Sequence, residues 1–182
     1  MVSCSIVKST LTLATIAGLS IATSCGSEQN VSRDRTPPKL DELPPASEHQ
    51  WAVAQGEHEG CALIVRYNES VKRYAAHPEL GFQVGVAVPL NSPNPGTLPT
   101  PEESEQLQSL EDRLVEMVMQ DRVAILAAIL TTGTVKEFVL YTGDPETVRV
   151  RLEELQRSVV THELQFMIQP DPEWSVYHRL AR

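Results

Sequence analysis

The chain is short of cysteine, short of aromatic side chains and without a cluster of basic ones. Three cysteines in 182 residues are too few for a disulfide scaffold. Fifteen basic residues stand against 24 acidic, for a net charge of −9. That balance argues against a nucleic-acid face, which needs clustered Lys and Arg, and against a polybasic membrane patch. No Gly-rich phosphate loop, HExxH, paired CxxC or GxSxG elbow occurs. The five histidines, His49, His58, His77, His162 and His178, have no partner at metal-ligand spacing on one element. No cofactor and no metal is therefore expected, and no motif assigns a reaction.

What is present starts at the N-terminus. Lys8 gives a short basic region, Ser9 to Ala22 is uncharged, and Ala22-Thr23-Ser24 leads into Cys25. This is the layout of a secretory signal with small residues at the cleavage point. The stretch Ile21-Ala-Thr-Ser-Cys25 resembles the lipobox of bacterial lipoproteins, with Ala22 where Leu is most usual. It predicts lipidation of Cys25 and residence in the cell envelope, held to a membrane facing the periplasm or the exterior. The alternative is an uncleaved membrane helix. Ser9 to Ser27 is about as long as the roughly 20 residues a bilayer needs, but rich in Ser and Thr. Two or more acyl chains give stable anchoring, where one gives marginal binding.

The three cysteines thus divide between signal, lipid site and domain. Cys61 alone remains in the mature chain and has no intrachain partner by count. It opens the run Cys61-Ala-Leu-Ile-Val65, which suits a small buried hydrophobe; a reactive thiol is the other reading. The organisation read from the sequence is a signal peptide over 1–24, a lipidated and disordered Pro-rich linker over 25–50, and one domain over 51–182. Pro37-Pro38 and Pro44-Pro45 make the linker a semi-rigid spacer.

Within the domain, Trp51–Ala54 and Cys61–Tyr67 read as strands across a Gly-containing turn. Glu69–Ala76 reads as a short helix stopped by Pro78. Phe82–Val88 is a third strand, with Phe82, Val84, Val86 and Val88 on one face. Thr100-Pro101-Glu102-Glu103 is a helix start with the form of a capping box. The helix places Leu107, Leu110, Leu114, Met117 and Val118 on one stripe and Glu105, Glu111, Asp112 and Glu116 opposite. Val123–Leu130 is apolar throughout and predicts a central strand covered on both faces. Val135–Thr142 pairs with it, Asp144-Pro145 opens a helix carrying Val148, Leu152, Leu155 and Val159, and Leu164–Ile168 is the last strand. Asp171-Pro172 begins a final helix with Trp174 and Tyr177. The order ββαβαββαβα predicts an α+β fold, ferredoxin-like, with a mostly antiparallel sheet and helices packed on one face.

Several of these pieces together resemble a bacterial family, domain of unknown function 695. They are Trp51 with its strand, Leu63-Ile-Val-Arg-Tyr-Asn68, the Gly96-to-Glu103 loop and helix start, and Leu110-Glu-Asp-Arg-Leu114. Thr131-Thr-Gly133, Glu137-Phe-Val-Leu-Tyr-Thr142 and Asp171-Pro-Glu-Trp174 complete the set. The resemblance covers about Trp51 to Leu180 and rests on order and spacing. It implies a domain that resembles, and sometimes accompanies, a ribonuclease E inhibitor-like domain, a ferredoxin-like type that acts by binding protein. It carries no catalytic residues.

Two clusters are candidates for function. Glu57-His58-Glu59 is the densest ionisable group and lies in a predicted turn; it reads as solvated, with weak metal binding as the alternative. Trp51, Arg66, Tyr141, Asp171, Trp174 and Tyr177 supply aromatics, an arginine and a carboxylate, types enriched at interaction hot spots. They read either as core anchors or as one binding surface. The preferred function is a lipid-anchored, extracytoplasmic, non-catalytic binding or regulatory module with an envelope protein as partner. The alternatives are a hydrolase-type enzyme using the Glu57-His58-Glu59 group, and a ribonuclease-inhibitor-like domain should the chain be cytoplasmic.

Overall fold

The computed structural model describes residues 37–58, 61–94 and 96–181. The signal peptide and Cys25 lie outside them. Six strands are present: β1 Trp51–His58, β2 Cys61–Asn68, β3 Phe82–Pro89, β4 Ala124–Thr132, β5 Val135–Thr142 and β6 Gln165–Pro170. They form one sheet in the order β1-β2-β4-β5-β3-β6, and every ladder is antiparallel. The helices are α1 Pro101–Met119, α2 Pro145–Ser158 and α3 Ser175–Leu180. The fold is α+β, and the element order matches the expectation.

The first expected helix is a 3-10 segment, Glu69–Tyr74. Residues three apart eclipse in that geometry, so Val71 and Tyr74 point the same way, and both are fully buried. The Asn68 side chain caps it by accepting from Ser70 N.

The two sheet faces bury different sets. Val84, Val86, Val88, Phe138 and Leu140 meet Leu107, Leu110 and Leu114 of α1 and Val148, Leu152 and Leu155 of α2. Leu63, Val65, Val139 and Tyr141 meet Val71, Tyr74, Trp174 and Tyr177 on the other. The expectation of helices on one face is corrected accordingly. α1 and α2 share a face, while the 3-10 segment and α3 cover the opposite one. An all-apolar β4 requires cover on both sides, and α3 supplies part of the second.

β4 reconciles the two faces with a bulge. Leu126 pairs with Leu140 and Ala128 with Val139, which leaves Ala127 without a register partner. Before the bulge Ala124 and Leu126 face α1 and α2; after it Ile129 does. Ile125, Ala127, Ala128 and Leu130 face the other core.

Two further expectations are corrected. Residues 37–50 are not a structureless spacer: they hold 3-10 turns at Leu40–Glu42 and Ala46–Glu48. Leu43 is buried, and Arg73 and Arg122 donate to the carbonyls of Glu42 and Leu40. Cys61 is buried as expected, but it is disulfide-bonded, against the expectation of a cysteine without a partner. It is the single cysteine among the described residues. No helix among the described residues is long and apolar enough to cross a membrane.

Candidate functional site

The six residues of the expected binding surface fall into two clusters on opposite faces. Trp51 packs at the margin of the α1/α2 core, and the Arg66 guanidinium lies 5.2 Å over its ring. Tyr141, Asp171, Trp174 and Tyr177 belong to the other side and are buried.

That second cluster is internally satisfied. Tyr141 and Trp174 stack at 3.8 Å and 7°, and Tyr177 meets Trp174 edge-on at 5.7 Å. Tyr141 Oη donates to Asp171 Oδ2 at 2.8 Å and accepts from Tyr177 N. Asp171 also accepts from Ser175 N and Val176 N at the start of α3, so it caps that helix. Trp174 Nε1 donates to Leu80 O and Tyr177 Oη to Asn68 O. Burial pushes the Asp171 carboxyl up, but the donors from Ser175, Tyr141 and Val176 outweigh it and hold the group below the ordinary carboxylate value. Burial pushes the Tyr177 hydroxyl up to about 12, helped by nearby Glu69 and Tyr67, and raises Tyr141 further. Trp174 itself sits in the left-handed region, φ 52°, a strained position for a bulky residue that these contacts hold in place. The four residues anchor α3 to the sheet.

The first cluster is different, because it reaches the surface. Glu111 of α1 is buried and accepts from Lys136 Nζ at 2.7 Å and from Arg66 Nη1 at 3.2 Å. Two cations around one carboxylate leave a local excess of positive charge in a chain of net charge −9. The Lys136 side chain is as buried as Glu111, and its ammonium lies 5.4 Å from the Phe138 ring. Arg66 remains one-third exposed. Beyond it β1 is open: Val53, register partner of Arg66, is 61% exposed, and Ala54 to Glu57 are exposed as well. Trp51, Val53 and Arg66 therefore form a shelf of apolar surface with a cation, beside α1 and bounded by an edge strand.

The sequence reading missed two residues of this site. Glu111 was expected on the solvent face of α1. It lies one helical turn from Leu107 and next to Leu110, so its place among the apolar positions was the available signal. Lys136 alternates with Phe138 and Leu140 on β5, which puts it on the same buried face.

The other acid–histidine groups offer less. Glu57 is exposed, while the His58 side chain and Glu59 lie outside the described residues. Glu103 and His162 form a buried pair, Oε1 to Nε2 3.4 Å, with His162 Nδ1 unpartnered. The Glu103 carboxylate accepts from Asn91 N and Ser92 N, so it does not complete the expected capping box, although Thr100 Oγ1 does accept from Glu103 N. The His162 side chain is wholly enclosed, so the pair braces the start of α1 against the α2–β6 link, while the same carboxylate ties in the β3–α1 loop. A groove of about 160 Å³ between α1 and the α2–β6 link is lined by Leu110, Arg113, Val159 and Thr161 among others, with no histidine or carboxylate. No group of three or more His, Cys, Asp or Glu among the described residues is placed to hold a metal.

A family model described as "Family of unknown function (DUF695)" matches residues 49–180, well over half of the chain. The chain belongs to that family. No curated protein and no solved structure matches it.

Proposed function

We propose that this member of the family of unknown function is a lipid-anchored, extracytoplasmic binding module that works without catalysis. The observation that carries the reading is the Trp51–Val53–Arg66 shelf. It joins an aromatic ring, an exposed valine and a half-open guanidinium on a rigid sheet, and Glu111 fixes the guanidinium from beneath. Rigid aromatic and arginine groups are what protein partners anchor on. The membrane address rests on the lipobox-like residues ending at Cys25. The finer fold reading is ferredoxin-like: the run β3-α1-β4-β5-α2-β6, with spatial order β4-β5-β3-β6 and α1 and α2 on one face, supports it, with β1 and β2 added at the β4 side.

Two measurements test this. Mass spectrometry of the mature chain should find it starting at Cys25 with the sulfur in thioether linkage to lipid, and therefore Cys61 not bridged within the mature chain; an intact Met1 terminus, or a disulfide from Cys61 to Cys4 or Cys25, removes the anchor. Affinity capture from envelope extract should recover a partner with the natural chain and lose it with Trp51→Ala or Arg66→Ala. Loss of about 2 kcal/mol, roughly thirtyfold, is the scale of a hot-spot truncation. Capture unaffected by both changes removes the shelf as the binding surface.

A further inference from the structure

We infer that β1 is a self-recognition edge, on which two copies of this chain pair antiparallel about Ala54. This rests on the reading of the Trp51–Arg66 shelf as a binding surface and names its occupant.

The first observation is the edge itself. β1 ends the sheet, and among the described residues no strand pairs with its outer side. Proteins usually blunt such an edge with proline, lysine, a bulge or a short strand. Trp51–His58 is eight residues of WAVAQGEH with neither proline nor lysine, and its pairing to β2 runs without a register shift. Residues 53–57 are exposed, Val53 at 61%. An unprotected row of main-chain donors and acceptors beside an exposed valine is a template for another strand.

The second observation is register. In an antiparallel ladder, directly opposite residues share a face and share the direction of their N–H and C=O groups. A pair of β1 strands must therefore match odd residues with odd and even with even. The full eight-residue overlap breaks that rule, because it sets Trp51 against residue 58. Centring on Ala54 obeys it and pairs seven residues: Trp51 with Glu57, Ala52 with Gly56, Val53 with Gln55, and Ala54 with itself.

The third observation is charge. In that register the Glu57 carboxylate of the second copy stands opposite Trp51, on the face where Arg66 lies over the ring. The guanidinium gives Nη1 to Glu111 and is one-third exposed. The two-fold axis repeats the contact at the other end. An arbitrary extended peptide satisfies the main chain equally well, but it does not bring an acid to both arginines. Seven pairs span about 24 Å at roughly 3.4 Å per residue, so the contact is smaller than a standard interface of about 1,600 Å² and the association depends on concentration.

The test is cysteine cross-linking of the full chain in the cells that express it. Directly opposite residues lie within about 5.5 Å at Cβ, near disulfide reach. Ala54→Cys should give a covalent dimer under mild oxidation. Ala52→Cys and Gly56→Cys alone should give at least tenfold less, and the two co-expressed should restore it; a Cβ at Gly56 meets nothing within 4 Å, so that chain folds. Adding Val53→Lys to Ala54→Cys should cut the dimer at least tenfold. No dimer with Ala54→Cys, or equal dimer at all three positions, overturns the inference. If Ala54→Cys stays monomeric while capture of an envelope partner still depends on Trp51 and Arg66, self-pairing falls and the shelf stands. If capture is also independent of them, the shelf falls too.

Discussion

Single side chains decide the pH response of this domain. His49 accepts at Nδ1 from Asn68 Nδ2 and donates from Nε2 to Pro44 O, which suits the neutral ring. Burial lowers its pKa against the opposing pull of the Pro44 carbonyl. A base with a lowered folded pKa costs stability as pH falls below its ordinary 6.5, because the unfolded chain takes up the proton first. Asp171 acts at lower pH. Its folded pKa lies below 3.8, so its contribution is present above 3.8 and is lost as pH falls further. Asp171→Asn should lower stability at pH 7 by about 1–3 kcal/mol, since the charge-assisted acceptor for Tyr141, Ser175 and Val176 is weakened. The same variant should flatten the dependence below pH 4 and leave the change near 6.5 in place. Denaturant melts at closely spaced pH values read both; an unchanged acid slope would show that Asp171 is not the titrating group.

Among the elements, β4 bears the constraint that sets the rest. Side chains alternate with period two, so one inserted residue exchanges the faces of everything beyond it. Ala127 is that residue, and it lets Leu126 and Ile129, three apart, face the same core. Inserting an alanine between Ala128 and Ile129 should turn Ile129 and Leu130 to the wrong faces and cost more than about 4 kcal/mol, enough to abolish folding, whereas deleting Ala127 leaves both on their present faces. Ala127→Gly keeps the residue count and should cost only about 1 kcal/mol. Circular dichroism and the yield of folded chain distinguish them, and a well-folded insertion variant would mean that the bulge can widen to absorb a second residue. Most elements were legible because their signals are local. The hydrophobic period marks α1 and α2, Asp144-Pro145 marks the start of α2 with Asp144 Oδ1 accepting from Thr147 N, and β-branched alternation marks β3. The bulge was not legible, because in Ala-Ile-Leu-Ala-Ala-Ile-Leu every position is apolar and no polar residue reveals a change of phase. The 3-10 form of Glu69–Tyr74 depends on Val71 and Tyr74 reaching one core, which spacing alone did not state.

At the scale of the whole molecule, one sheet serves two cores, so neither can unfold alone. Leu114 lies in one and Leu130 in the other, both nearly free of solvent. Leu114→Ala and Leu130→Ala should each cost about 2–5 kcal/mol and move a single transition. Trp51 and Trp174 report from opposite faces, so tryptophan fluorescence and far-UV circular dichroism should melt together in each variant. Separate transitions would show that the 3-10 segment and α3 form an independent layer. The same arrangement divides the expected binding residues: the sheet sends Trp51 and Arg66 to one side and Tyr141 and Trp174 to the other.

By itself the sequence determined the elements, their order, the class α+β and the family, because capping, period and turn residues act within a few positions. It also carries, in the residues up to Cys25, the case for an anchored chain. Only the tertiary structure decided which polar residues are buried together. Glu111, Arg66 and Lys136 come from α1, β2 and β5, and long-range pairing brings both cations, 70 residues apart in the chain, within 3.3 Å of the Glu111 carboxylate. It also decided that four aromatic-cluster residues are spent on holding α3, while Trp51 and Arg66 stay open beside an edge strand. Burial is a property of what packs on a face, and no local pattern specifies that.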